Sequence, residues 1–421
     1  MTNKMLFISF NKYKLINMFF DISLLLYFIA YFVYYKDIPG ASTIRLLSTA
    51  SVLLFGMMLS LNNARRALKL GKFEIWLAVF IIFGFISILW APSSSAVMGV
   101  LVNLIRIFLV AYFIRVRVQN ADDLNRVLVL YVVATLYMVI FILLKMMDMY
   151  TFEQILVRRF GDQFEYNSNQ TAVQCCFSIM ILLYLTKERK HKFIYLGLMV
   201  FFAFILLLTQ SKKGIVCLAI GLVSLYYNSV RGNKKVGRII IAVLGIILSY
   251  VLITNIPFFY NLIGHRLEEM MNFLLGFTAS MGEDARRFQL WDKALETWFS
   301  SPIFGVGLAN FSIVNFGVKG AYAHNNYLEL LADVGFIGTI IYYCLPVSIL
   351  LTRFKSSDNL QVLLHTFVLI LLIMDIGVVS YSNISMVLFY ALSLISIGNS
   401  CNRVNKTNIN RVKSTRRLNE I

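Results

Sequence analysis

Two adjacent arginines, Arg286 and Arg287, open the case for chemistry, because a guanidinium offers a planar fork of donors that matches phosphate oxygens and never loses its charge. Arg287 lies four residues before Trp291, so on a helix both project from one face, toward its apolar side. Such a pair either holds an anion or anchors its helix to lipid headgroups, and the pattern fits both. Ser211, Lys212, Lys213 and Gly214 form a second cationic turn, with Ser211 placed to cap a following helix. Open N–H groups beside lysine favour an anion, although a tight turn with snorkelling lysines fits equally. His324, with Asn325 and Asn326 after it, is a candidate general base for a poorly acidic hydroxyl, the alternative being a structural role at a membrane rim. Glu329 and Asp333 follow it roughly 7 and 13 Å along one helix face. Arg106 and Asp375 are further ionisable residues inside apolar runs, and such groups must face protein or water. A structural ion pair between Arg106 and one of these acids is expected in preference to a proton relay.

The elements that must position these residues are membrane helices. At 59% hydrophobic and 14% charged, the 421 residues have too few polar side chains to cover a soluble surface of that size. Apolar runs long enough to span a hydrocarbon core, which needs about 20 helical residues, number twelve: 17–35, 42–61, 73–91, 97–115, 124–145, 168–186, 193–210, 212–229, 238–256, 324–351, 361–379 and 382–398. The expected fold class is therefore all-α, a polytopic helical membrane protein of about twelve transmembrane helices. The net charge of +18 would suit nucleic acid, but its distribution follows topology. Of 39 basic residues, 26 fall on alternate loops and the tail, 12 on the opposite side, and Arg106 lies within a span. Positive charge collects on cytoplasmic loops, so both termini are expected inside and no nucleic acid partner is implied.

That topology leaves one long extracytoplasmic segment, Pro257 to Tyr322, of 66 residues counted inclusively. Loops beyond about 15 residues without structure of their own are uncommon unless they serve a function. Within it, Phe288, Trp291, Leu295 and Trp298 recur at helical spacing, predicting an amphipathic helix from Asp284 to Phe299 that Ser300, Ser301 and Pro302 end. Gly305 and Gly307 then suit tight turns before the chain returns to the membrane near His324. The expected organisation is a nine-span bundle over 1–256, the large loop over 257–322, three spans over 323–398 and a basic cytoplasmic tail over 399–421. His265 shares the outer side with His324, whereas His191 and His365 fall on the cytoplasmic side. The first apolar run is too long for a signal peptide and lacks a small-residue cleavage pattern, so it is expected to be retained. The cysteines, Cys175, Cys176, Cys217 and Cys344 within spans and Cys401 beyond them, suggest neither a disulfide framework nor a metal site. No internal repeat is evident, which weighs against a transporter.

The order of the pieces resembles one family. Arg287-Phe-Gln-Leu-Trp291, Ala294-Leu295, Pro302-Ile-Phe-Gly305-Val-Gly307, Phe311 and His324-Asn325-Asn-Tyr-Leu328-Glu329 through Gly335 and Gly338 is similar to the O-antigen ligase and polymerase superfamily. The close likeness covers about 50 residues, and the Ser211 turn with the twelve-span layout extends it loosely. The resemblance implies a metal-independent membrane glycosyltransferase that needs no cofactor and acts at the outer face of the cytoplasmic membrane. Its substrate would be an oligosaccharide on undecaprenyl pyrophosphate, with the bilayer and other membrane proteins of polysaccharide assembly as further partners. It also implies roles: Arg287 holds the departing pyrophosphate and His324 activates the acceptor hydroxyl, while Arg286, Lys212, Lys213, Ser211, Asn325 and Glu329 line the substrate site. One departure stands out, since the family's serine-arginine turn appears here as Ser211-Lys212, a point charge in place of a fork. A polymerase of repeat units is the leading expectation. A ligase passing glycan to another acceptor is the near alternative, and a glycolipid transporter the distant one.

Overall fold

Each apolar run coincides with a helix in the computed structural model, which describes residues 2–34, 38–164, 166–188, 192–228, 235–275, 283–318, 321–352 and 358–398; side chains of 2–13, 65, 187–188, 235–236, 273–274 and 283–286 lie outside that description. The first nine expected spans form α1 (Thr2–Val33), α2 (Ala41–Asn62), α3 (Lys72–Ser87), α4 (Ser94–Arg117), α5 (Ala121–Met149), α6 (Ser168–Glu188), α7 (Lys192–Leu208), α8 (Lys212–Asn228) and α9 (Lys235–Asn255). The long segment carries α10 (His265–Leu274), α11 (Glu283–Ser300) and α12 (Phe311–Phe316). The chain closes with α13 (Asn326–Leu351), α14 (Asn359–Met374) and α15 (Ile384–Gly398).

Seven of these, α1, α2, α4, α5, α6, α9 and α13, are long and apolar enough to cross a membrane, and α7, α14 and α15 are shorter apolar helices. The molecule is a polytopic helical membrane protein. Among the helices shorter than their apolar runs are α3 with 16 residues and α8 with 17. In α3 the coil continues through 3₁₀-type bonds from Ile88, Leu89 and Trp90 to carbonyls three residues back. The run expected over 361–379 forms a helix only to Met374, with Asp375 as its C-cap, whose carboxylate accepts hydrogen bonds from Asn326, Tyr343 and Ser380. Polar caps fix several starts: Ser93 for α4, Asn120 for α5, Asn325 for α13 and Asp358 for α14 each accept a backbone N–H.

Packing separates the helices into a core and a fringe. Aromatic side chains from α1, α5, α6, α14 and α15 interleave at the centre, with Phe177 stacked 4.4 Å from Phe367 and set edge-on to Phe389 at 4.9 Å. On the side assigned to the cytoplasm, Arg117 joins three helices through Asp21 at 2.8 Å and Asp123 at 2.7 Å. By contrast, no described side chain of α9 is buried along its apolar stretch from Gly237 to Asn255. Its main contacts are with α8 and the beginning of the long segment, which leaves most of its apolar surface open, as suits a helix facing lipid.

The tenth expected span is interrupted. Gly335 inside α13 takes φ 64° and ψ −168°, a region essentially closed to side chains, and the helix breaks there. The loop after α11 docks into the break: Phe336 and Ile337 donate to the carbonyls of Pro302 and Ile303, while Val306 and Gly307 donate to those of Ala332 and Asp333. Asp333 completes the lock by accepting N–H bonds from Ala309 and Asn310 at 2.9 Å and from Phe311 at 2.7 Å. A Cβ on Gly305 would lie 2.5 Å from the Asp333 carbonyl. Lower in α13, Pro346 cannot donate to Tyr342, and the Trp76 indole supplies that donor from α3 at 3.0 Å.

Candidate active site

The amphipathic helix of the long segment forms as α11, with the expected end at Ser300. Its most buried side chains are the small Ala294 and Thr297, not the aromatic stripe. Phe288 and Phe299 stay exposed, whereas Trp291, Leu295 and Trp298 are half-buried, so the helix packs on α13 along its small residues with the stripe partly covered beside them. Ala294, Phe311, Ala323 and Ala332 form a small apolar cluster beneath the loop, separate from the main core. This cluster, with the lock on Asp333, carries α11 and the approach to His324 as one unit.

His324 occupies a left-handed conformation, φ 54°, which an L-residue adopts only when its neighbours hold it there. Both neighbours are held. Ala323 is buried and donates its N–H to the Glu329 carboxylate at 2.6 Å, and Asn325 accepts the N–H groups of Tyr327 and Leu328 as the cap of α13. The imidazole stands against the Tyr322 ring, centroids 4.1 Å apart. Burial pushes the Tyr322 phenol up, the Arg287 guanidinium opposes that and the Glu329 carboxylate adds to it. The phenol is thus neutral at physiological pH, with its ring against that of His324.

Arg287, His324, Glu329 and Lys213 line one cavity of about 1040 Å³, which Arg159, Arg106 and Arg45 also line. An adjoining cavity of about 650 Å³ shares Arg159, Arg287, Tyr322 and His324. Lys213 enters from the first turn of α8, its ammonium donating to the Gly377 carbonyl between α14 and α15. Arg159 is set by three acceptors: the Thr209 carbonyl at 3.2 Å, Asp162 at 3.1 Å and Asn169 at 3.2 Å. Five cations therefore surround a space bordered by two carboxylates, Asp162 and Glu329.

The other expected site residues lie elsewhere. Ser211 caps α8 by accepting the Gly214 N–H and donates to Asn169; it is buried and does not border the cavity. Lys212 turns outward to Glu269 on α10, at 3.4 Å. Asn325 is occupied as a helix cap. Arg286 stands in the first turn of α11, its side chain outside the description. The expected ion pair of Arg106 does not form with any described acid: Glu329 and Asp333 both bind backbone N–H groups, and Arg106 lies over the Tyr31 ring at 5.5 Å. Arg45 and Arg159 were not among the expected site residues. Their signal was a cation on the cation-poor side, which composition by loop displays without saying where it points. Among the described residues no group of three or more His, Cys, Asp or Glu could hold a metal ion.

Residues 197–343 match the family described as O-antigen ligase, a segment that runs from α7 into α13 and includes Ser211, Lys213, Arg287 and His324. The resemblance read from the motif order is thereby borne out. No curated protein matches the chain.

Proposed function

We propose that this chain, whose residues 197–343 match the O-antigen ligase family, is a polysaccharide polymerase. It would transfer undecaprenyl-pyrophosphate-linked glycan onto the next lipid-linked repeat unit at the outer face of the cytoplasmic membrane. One observation carries the reading: Arg287, near the middle of the long segment, and His324, just past its end, line a single cavity together with Lys213 from another helix. A glycosyl transfer from a lipid pyrophosphate needs cations for the leaving group and a base for the acceptor, and these residue types stand there.

In the reaction, His324 takes the proton of an acceptor hydroxyl as its oxygen bonds to the anomeric carbon of the donor. The bond from that carbon to the pyrophosphate breaks, and its electron pair leaves on the phosphate oxygen. Charge builds on the pyrophosphate while the sugar passes through an oxocarbenium-like state. Arg287 is a fork for that growing charge, with Lys213 and Arg159 as further fixed cations near low-dielectric walls. Glu329 is a positioning residue, acting through the Ala323 N–H on the backbone that presents His324. Lys212, paired with Glu269, supports the turn at the start of α8 from outside the cavity.

The test is a lipid-linked glycan profile from a deletion strain complemented with variants. His324→Ala and Arg287→Ala are each expected to leave single repeats with protein levels unchanged. Normal polymer length in both would sink the assignment, whereas long chains retained on the lipid would identify a ligase.

A further inference from the structure

Arg106 stands twelve residues after Ser94, the first residue of α4, which is roughly 18 Å along the axis at 1.5 Å per residue. In a hydrocarbon core of about 30 Å that is near mid-depth, where an arginine is costly unless it meets water or a counter-charge. Its guanidinium lies over the Tyr31 ring at 5.5 Å and donates to Asn103 at 3.4 Å, and no described acid pairs with it. Arg45 stands one full turn into α2, which begins at Ala41. Its Nε reaches only the Ala41 carbonyl, at 3.4 Å, and it too has no described acid partner.

The two belong to one neighbourhood. Thr49, one turn after Arg45, donates to the Arg45 carbonyl at 2.6 Å, and its hydroxyl lies 3.5 Å from that of Tyr31, the ring beneath Arg106. Both arginines border the large cavity, yet neither borders the adjoining one that Arg287 and His324 share. The cavity's carboxylates are committed away from them: Asp162 to Arg159 and Ser168, Glu329 to Ala323. Two guanidiniums thus border this cavity with no described protein anion beside them.

We infer that Arg45 and Arg106 form a second anion subsite, separate from the one at Arg287, which takes a second anionic group of the bound glycans. This rests on the glycan-transfer reading above. A sugar carboxylate in the repeat unit and the pyrophosphate of the acceptor's own lipid both present oxygens that a guanidinium fork accepts in pairs. Occupation of the subsite would hold the acceptor strand in the cavity while its hydroxyl lies at His324.

The test titrates purified full-length protein in detergent with inorganic pyrophosphate and, separately, with glucuronate, comparing wild type, Arg287→Ala and the double variant Arg45→Gln/Arg106→Gln. Two anion equivalents are expected in wild type, one weakened roughly tenfold or more in the double variant, as loss of charged hydrogen bonds implies, and the other in Arg287→Ala. If the equivalent lost from the double variant is one that glucuronate fills, the source is an acidic sugar; if only pyrophosphate fills it, the source is a lipid headgroup. A single equivalent in wild type, or wild-type binding by the double variant, overturns the subsite. Melting in anion-free buffer is the structural control: removing two uncompensated cations should leave the transition unchanged or raise it, and a fall would make them structural. Polymer made normally by Arg287→Ala and His324→Ala would refute the transfer reading, while two-equivalent binding would still stand.

Discussion

Replacing Asp333 tests whether the broken helix is what holds the catalytic segment. The carboxylate accepts three backbone N–H groups from Ala309, Asn310 and Phe311, and Asp333 itself is fully buried. With alanine the Ala309 and Phe311 donors lose their partner while Asn310 keeps the Gly307 carbonyl at 3.0 Å, and each buried unsatisfied group costs about 1–3 kcal/mol, which sums to roughly 2–6 kcal/mol for Asp333→Ala. Asparagine can keep its oxygen toward Asn310 and Phe311, but its amide then faces the Ala309 N–H, donor against donor. Of the two donors that have no other acceptor one is lost, so Asp333→Asn should cost roughly half as much. Because the lock joins one loop to one helix, the loss is expected as local opening of 301–316 ahead of global melting. Limited proteolysis and hydrogen exchange on purified protein would read it, with Asp333→Ala cleaved fastest and Asp333→Asn intermediate. Protection of this segment equal to wild type in Asp333→Ala would refute the reasoning.

Gly335→Ala should act through the same joint, since it combines a backbone region costing about 1–3 kcal/mol for other residues with a Cβ 2.6 Å from the Gly305 nitrogen; a melting temperature equal to wild type would count against the docking. Lys213→Met is expected to lower kcat/KM by tenfold or more, whereas Lys212→Met, whose partner Glu269 is largely exposed, should stay within about threefold; initial rates with a lipid-linked repeat compare them. Ser211→Ala removes a helix cap and should cost about 1 kcal/mol of stability, measurable by thermal unfolding, without changing the pH dependence of the transfer that His324 sets.

Much of this molecule was legible because its dominant signals are local. A run of apolar side chains in lipid has no alternative to a helix, so the twelve runs and the helices coincide even where ends differ by several residues. The periodicity of Phe288, Trp291, Leu295 and Trp298 announced α11, and Ser211 announced the start of α8. What stayed hidden depends on partners distant in sequence. Asp333 was read as a partner for a cation because a buried acid needs compensation, but three backbone amides more than twenty residues away meet that need. Arg106 was given an acid for the same reason, and what lies beneath it is an aromatic ring. Lys212 and Lys213 look identical in sequence, yet successive helical residues point about 100° apart, so one faces the cavity and its neighbour turns to Glu269. The motif from Pro302 to Gly307, which carried much of the family likeness, builds the joint and leaves the chemistry to the residues beside it.

The meeting of Gly305 with Gly335 has a consequence for how such a contact can change over time. Each would place its Cβ on the other's backbone, Gly305 at 2.5 Å from the Gly335 nitrogen and Gly335 at 2.6 Å from the Gly305 nitrogen. Most packed pairs can trade volume, a larger residue on one side answered by a smaller one opposite. Here neither side has anything smaller to offer, so a substitution at one position admits no compensating substitution at the other. The two sites would each be fixed independently and would show no correlated variation, leaving this close approach of two segments invisible to any method that infers contacts from paired changes.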